Sequence, residues 1–191
     1  MRVSKQQLIV FSSPTPKVNE YDLFQAFIDQ GVKAIHLYRP QASEHELYHL
    51  LDSLDASVLP HIVLHHHKQL KNDFPVKGVH RQRNNDSSVP FVSCSLHQFI
   101  FPDYAAQAEY VFFSPVLPSI SKSGHLPSYT FSEISQWVSS IPCPCYALGG
   151  INLDAIAQEN FVQFAGVAML GAIWQSDCPL STVIKTMKLL T

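Results

Sequence analysis

Cys145-Tyr146-Ala147-Leu148-Gly149-Gly150-Ile151-Asn152-Leu153-Asp154-Ala155-Ile156-Ala157-Gln158 passes from a β-rich apolar run, through a double glycine, to a capping asparagine and a stretch of helical spacing. A strand, a tight turn and an asparagine-started helix in that order make one βα unit. Working outward, the same alternation recurs along the chain, with candidate strands at 8–11, 34–38, 61–65, 78–80, 91–95, 110–114, 145–148 and 166–170. Between them, 19–30 carries Leu23, Phe24, Phe27 and Ile28 at helical spacing and stops at Gly31, and Ser43 caps a second helix with Glu46 three residues on. Stretches 131–138, 153–158 and 180–190 supply three more helices, with Ser132 and Asn152 as caps.

Short apolar strands alternating with helices predict a parallel sheet, and eight such units predict an α/β fold, a compact (β/α)8 TIM barrel. An open doubly wound sheet is the alternative. The chain of 191 residues falls just under the usual ~200 to 400 of such barrels, so some helices must be shortened. The helix after the third strand is one of these. Residues 81–90 leave room only for a short turn, where a parallel crossover usually takes about a dozen residues.

Composition narrows the function classes. With 46% apolar and 15% charged residues, 1–191 reads as a single domain with a substantial core. A formal charge of −2 with scattered ionic residues gives no basic stripe, which argues against nucleic acid and anionic membrane partners. No window approaches the ~18 apolar residues of a membrane helix, and the start lacks a signal-peptide core, so a cytoplasmic protein is expected. Cys94, Cys143, Cys145 and Cys178 read as reduced thiols, because Cys143-Pro144-Cys145 is neither a redox CxxC nor half of a zinc site.

In a barrel, function gathers where the strands end at their carboxyl side. That rim would carry His36, Tyr38 and Arg39 after strand two, His65 to His67 after strand three, Ser95 and His97 after strand five. Strand six leads through Ser114-Pro115-Val116-Leu117-Pro118 into Ser119-Ile120-Ser121-Lys122, a loop of small hydroxyls and one lysine suited to an anion. Strands seven and eight end in the glycine-bearing turns Gly149-Gly150 and Leu170-Gly171, where backbone amides and a following helix start favour phosphate.

The order of these motifs resembles that of the thiamine phosphate synthases and their relatives, the TenI-type thiazole tautomerases, which are compact (β/α)8 barrels. Residues 114–122 are similar to the family's Gly-Pro-x-x-Pro-Thr-x-Thr-Lys, 147–151 to its Gly-Gly-Ile turn and 166–173 to its last strand. Gly78-Val79-His80 and Ser95-Leu96-His97 fall where the family has Gly-Val-His and Ser-x-His, so the resemblance spans about residues 35 to 174. It implies joining hydroxymethylpyrimidine pyrophosphate to thiazole phosphate with release of pyrophosphate, in a site using Mg²⁺. Carried over by position, Lys122, Arg39 and Ser95 would be catalytic. Ser119, Ser121 and Lys122 would hold pyrophosphate; Gly149, Gly150, Leu170 and Gly171 would hold the thiazole phosphate; His36, Tyr38 and His97 would complete the binding surface.

The chain also departs from the family. Its two metal-binding aspartates fall at His65 and Asn85, leaving His65 itself and Asp86, one residue on, as the metal candidates, and imidazole is a poor ligand for a hard cation. Its Gln-x-Arg-x-Lys reads His36-Leu37-Tyr38-Arg39-Pro40, and the tautomerase histidine falls at Pro115. A thiazole tautomerase or a non-catalytic barrel binding thiamine precursors is therefore the second reading, with a ligand-free scaffold third. Ten histidines, with His36, His65, His80 and His97 converging on one mouth, raise a transition-metal site against the alternative of a hydrogen-bonded core. Phe99, Ile100, Phe101 and Trp174 are the candidates for a homodimer surface, with the core as their alternative.

Overall fold

The computed structural model describes residues 5–81, 90–118 and 127–190. Eight parallel strands close into one barrel in sequence order: β1 (Gln7–Phe11), β2 (Ala34–Leu37), β3 (Ile62–Leu64), β4 (Gly78–Arg81), β5 (Ser93–Leu96), β6 (Tyr110–Phe113), β7 (Cys145–Leu148) and β8 (Gly166–Met169). The open sheet is excluded by the pairing of β8 back onto β1, from Gln7 opposite Gly166 to Val10 opposite Met169.

Around the barrel lie α1 (Glu20–Asp29), α2 (Glu44–Ser53), α3 (Phe131–Val138), α4 (Leu153–Gln158), α5 (Gly171–Trp174) and α6 (Pro179–Leu189). The expected shortening falls after β3, where a 3-10 turn at Lys68–Asn72 replaces a helix, and again at Asp103–Gln107 before β6. The 81–90 crossover, apart from its two end residues, lies outside the described residues.

Capping explains the helix starts. Ser43 accepts from the Glu46 amide, and the Glu46 carboxylate accepts from the Ser43 amide at 2.8 Å, closing a capping box. For α3 the cap is Thr130 rather than Ser132, because Glu133 three residues on can return the bond, whereas Ser132 already lies inside the helix. Asn152 caps α4 through the Ala155 amide at 2.7 Å.

Strand alternation divides the core into two layers. Leu8, Val10, Ile35, Leu37, Ile62, Leu64, Val111 and Phe113 point outward under the helices, while Ile9, Phe11, Tyr110, Phe112, Tyr146 and Ala168 pack inside the barrel. The helices bury one face each; α3 contributes Ile134 and Val138, each worth roughly 1.5–3 kcal/mol on removal from water. The four cysteines are all free thiols, and among the described residues no helix is long and apolar enough to cross a membrane. Of the four candidates for a dimer surface, Trp174 is buried and its indole donates to the Phe11 carbonyl at 2.7 Å, Phe99 stacks on Tyr129, and Ile100 alone is well exposed.

Candidate functional site

Two neighbouring cavities open at the carboxyl end of the strands, of about 820 and 410 Å³, and Tyr38, His97, Ser114, Leu148 and Leu170 line both. The larger is walled by the loop after β1, including Ser13, Thr15 and Lys17, by Ser114 and Pro115 after β6, by Gly149 to Ile151 after β7, and by Gly171 and Ala172 after β8. The smaller is floored by His65, His80, Ser95 and Phe11, with Arg81 at its side.

The turn after β7 is made by glycine for two reasons. Gly149 and Gly150 have φ of 90° and 74°, a region costly for residues with a Cβ. A Cβ on Gly150 would also lie 2.5 Å from the Pro118 carbonyl oxygen, and one on Gly149 2.9 Å from Pro115. The loop leaving β6 therefore rests directly on this turn, fastened by the Val116 amide to the Leu148 carbonyl at 3.0 Å and the Leu117 amide to Gly149 at 3.2 Å. After β8, Gly171 starts α5, whose first helical bonds run from the Ile173 and Trp174 amides to the Leu170 carbonyl, with Gly171 and Ala172 lining the cavity.

Arg39 is buried at 2% exposure, with its charge committed to Glu20 at 2.6 Å and a second bond to Ser12 at 2.9 Å. Glu20 also accepts from the Ser13 and Lys17 amides at 2.8 and 3.1 Å. The pair thus staples the loop after β1 to the loop after β2. Burial raises the Glu20 pKa and Arg39 opposes the rise. Arg39 is an anchor under the cavity wall rather than a free cation on it.

Inside the barrel, the inward positions of β2 and β4, and the residue just past β3, are histidines. His36 Nδ1 lies 2.9 Å from His65 Nε2, and His36 Nε2 lies 2.7 Å from the Tyr110 hydroxyl. His80 Nδ1 lies 2.9 Å from Ser93 Oγ and its Nε2 3.3 Å from Ser95 Oγ. These bonds make a circuit of two chains, one from His65 through His36 to Tyr110 and the other from Ser93 through His80 to Ser95 on the cavity surface. Phe11 stacks on His36, and His65 stacks on His80 at 4.2 Å. Burial is the first cause holding all three imidazoles neutral, His36 and His65 well below 6.5 and His80 at about 3.

Of the residues singled out in the sequence, the fold brings Tyr38, Gly149, Gly150, Leu170, Gly171 and His97 to the larger cavity and His65 and Ser95 to the smaller one. His36 lies beneath, in the barrel. His97 is exposed and hydrogen-bonded to the Ser114 carbonyl, apart from the three buried histidines. His66 and His67 leave the group; His67 bonds the Ala42 carbonyl. Asp86, Ser119, Ser121 and Lys122 lie outside the described residues. Glu20 and Tyr110 join the site without a signal in the sequence. Glu20 reads only as a first-turn acid and Tyr110 only as a strand aromatic until the topology sets them opposite Arg39 and His36.

Comparison with known proteins bears on this mouth. The profile of the family described as thiamine monophosphate synthase matches residues 7–173. Among solved structures, the thiamine phosphate pyrophosphorylase of Bacteroides thetaiotaomicron is 26% identical with a TM-score of 0.71, over 97% of this chain and 95% of its own. That of Pyrococcus furiosus is 15% identical with a TM-score of 0.76, over 98% and 96%. The 3-hexulose-6-phosphate synthase of Salmonella typhimurium is 14% identical with a TM-score of 0.63, over 97% and 98%, and at such identities these last two show the fold alone. No curated protein sequence matches the chain significantly.

Proposed function

Because the chain belongs to the thiamine monophosphate synthase family, we propose that it joins hydroxymethylpyrimidine pyrophosphate to thiazole phosphate, forming thiamine phosphate and releasing pyrophosphate. The observation that carries this reading is the larger cavity: a wall of backbone turns at Gly149–Gly150 and Gly171–Ala172, faced by Lys17, Ser13 and Thr15, with Tyr38, Leu148 and Met169 as an apolar side. A flat heteroaromatic ring with a phosphate tail matches that division.

In this reading the turn amides of Gly149, Gly150, Leu170 and Gly171 hold the thiazole phosphate, and Ser119, Ser121 and Lys122 receive the pyrophosphate. Tyr38, His97 and Ser95 orient the pyrimidine, and the Arg39–Glu20 staple keeps the loops after β1 and β2 in place. The thiazole nitrogen forms its new bond to the pyrimidine methylene carbon as the carbon–oxygen bond to pyrophosphate breaks, so the departing group carries the electron pair and the chain must supply cations where it leaves.

Thiamine phosphate synthases typically use Mg²⁺. No carboxylate lines either cavity among the described residues, and the one acid buried at this end, Glu20, is committed to Arg39 and two amides. Among the described residues that donor set does not fit a hard, oxygen-seeking ion. The same lack supports the second reading, a barrel that binds thiamine precursors without joining them. A turnover assay with both precursors, with and without Mg²⁺ and chelator, decides between them. Thiamine phosphate formation supports the synthase. Calorimetric binding of thiazole phosphate without product supports the binding barrel, and neither binding nor product overturns both.

A further inference from the structure

We propose that His36, His65 and His80 form a binding site for a divalent transition ion of the Zn²⁺ class, with an open coordination position toward the smaller cavity. One ligand nitrogen from each histidine lies within 4.8 Å of the others, and all three side chains are buried. His36 and His80 lie on β2 and β4, beside Val63 and Ser93 in the strand registers, and His65 lies one residue past β3 with its amide bonded to the Leu37 carbonyl, so the barrel holds their backbones.

The surroundings match what a metal–imidazole site requires. His36 turns Nε2 outward to Tyr110 and Nδ1 inward; His80 turns Nδ1 outward to Ser93 and Nε2 toward the cavity. Such outer partners fix ring orientation, and the inner nitrogens of His36 and His80, now bonded to His65 and Ser95, would exchange those bonds for the ion. Phe11 and Phe112 close the sides with apolar rings. Neutral imidazoles suit Zn²⁺ and its neighbours rather than Mg²⁺. The 2.9 Å between His36 Nδ1 and His65 Nε2 must widen to roughly 3.3 Å, the separation of two nitrogens bonded tetrahedrally at Zn–N ~2.0–2.1 Å. Ligation exchanges that hydrogen bond for metal–nitrogen bonds and tilts His65 out of its stack on His80. Three protein ligands and one free position, with His65 and His80 both lining the cavity, is the arrangement of a site that accepts an oxygen ligand.

The chain carries a competing chelator, His45 and His49 one turn apart on the exposed face of α2 with Nε2 atoms 3.2 Å apart, and the test must separate the two. Chelator-treated full-length protein is titrated with Co²⁺ and, separately, Zn²⁺. One Co²⁺ per chain should give the visible absorption of a tetrahedral site, displaced by Zn²⁺ and untouched by excess Mg²⁺. The signal should survive in the H45Q/H49Q double variant and weaken at least 100-fold in H80Q and in H65Q, each checked for a folded barrel by circular dichroism. Should either variant fail to fold, a one-to-one rise of the wild-type melting temperature with Zn²⁺, retained in H45Q/H49Q, stands in its place. Absence of the tetrahedral band, its survival in folded H80Q and H65Q, or its loss in H45Q/H49Q overturns the site. None of these readouts depends on thiamine phosphate formation, so the two proposals fail separately.

Discussion

On the β6–β8 side of the barrel mouth the surface offered to a ligand is mostly backbone, formed by Gly149, Gly150, Gly171 and the loop after β6 that rests on the first two. Across the barrel, from β2 to β4, the corresponding layer is side chains: three imidazoles in the barrel and an Arg39–Glu20 pair beneath the rim. The first kind of surface is fixed by φ and close contact and is indifferent to pH. The second is fixed by hydrogen bonds among titratable groups, so its integrity depends on their protonation.

Acid separates the two halves most strongly. His36, His65 and His80 have folded-state pKa values below 6.5, so below that pH the unfolded chain binds more protons than the folded one. Stability is therefore fully present above about pH 6.5 and lost as pH falls, down to about pH 3 for His80. Each such site adds to the slope of stability against pH, so the three together make the loss steep. Urea midpoints should fall steeply between pH 7 and 5, with amide exchange protection lost from 34–37, 62–64 and 78–81 before 145–148. A flat profile would mean the circuit contributes nothing.

Gly150→Val tests the backbone half. It sets a Cβ at φ 74° against the Pro118 carbonyl, and an expected loss of about 4 kcal/mol, measured by urea unfolding, should be independent of pH. Gly149→Val would be strained likewise, at φ 90° and against Pro115, so neither variant reports on phosphate. Gly171 is free of the left-handed constraint, and Gly171→Asp should leave the fold intact while weakening thiazole phosphate binding by a factor of about 10 to 100 through charge repulsion.

Glu20→Gln strands the buried Arg39 charge and should cost about 3 kcal/mol, with Arg39→Met in the same chain recovering much of it. Full recovery would show that the staple is replaceable by packing, and no recovery would show that it is needed to seat the loops.

The difference between the halves also decides what the sequence could reveal. Strand, glycine turn and helix follow one another at 145–158, so the backbone half is readable as a local pattern, and the eight strands with it. The cap of α3 is local too: Thr130 with Glu133 three residues on is a capping-box signal, whereas Ser132 has no such partner. The histidine half joins residues 13 to 74 positions apart, and only barrel closure puts Tyr110 beside His36. Arg39 likewise reads as a free cation until Glu20, on the helix after β1, is seen to face it.

The smallest expected effect compares one hydroxyl on each side. Tyr110→Phe removes the outer partner of His36 Nε2 in a dry interior and interrupts the circuit, leaving a buried ring nitrogen without a partner. That asymmetric loss costs about 2 kcal/mol, more than the bond's net worth, because the remaining group keeps its desolvation penalty. Tyr146→Phe, on β7, removes a bond of 2.6 Å to the Gln7 side chain, which is more exposed and regains water, so it should cost about 0.5–1 kcal/mol. Equal costs would show that Tyr110 contributes packing alone, and the orienting role assigned to it beside His36 would then fall.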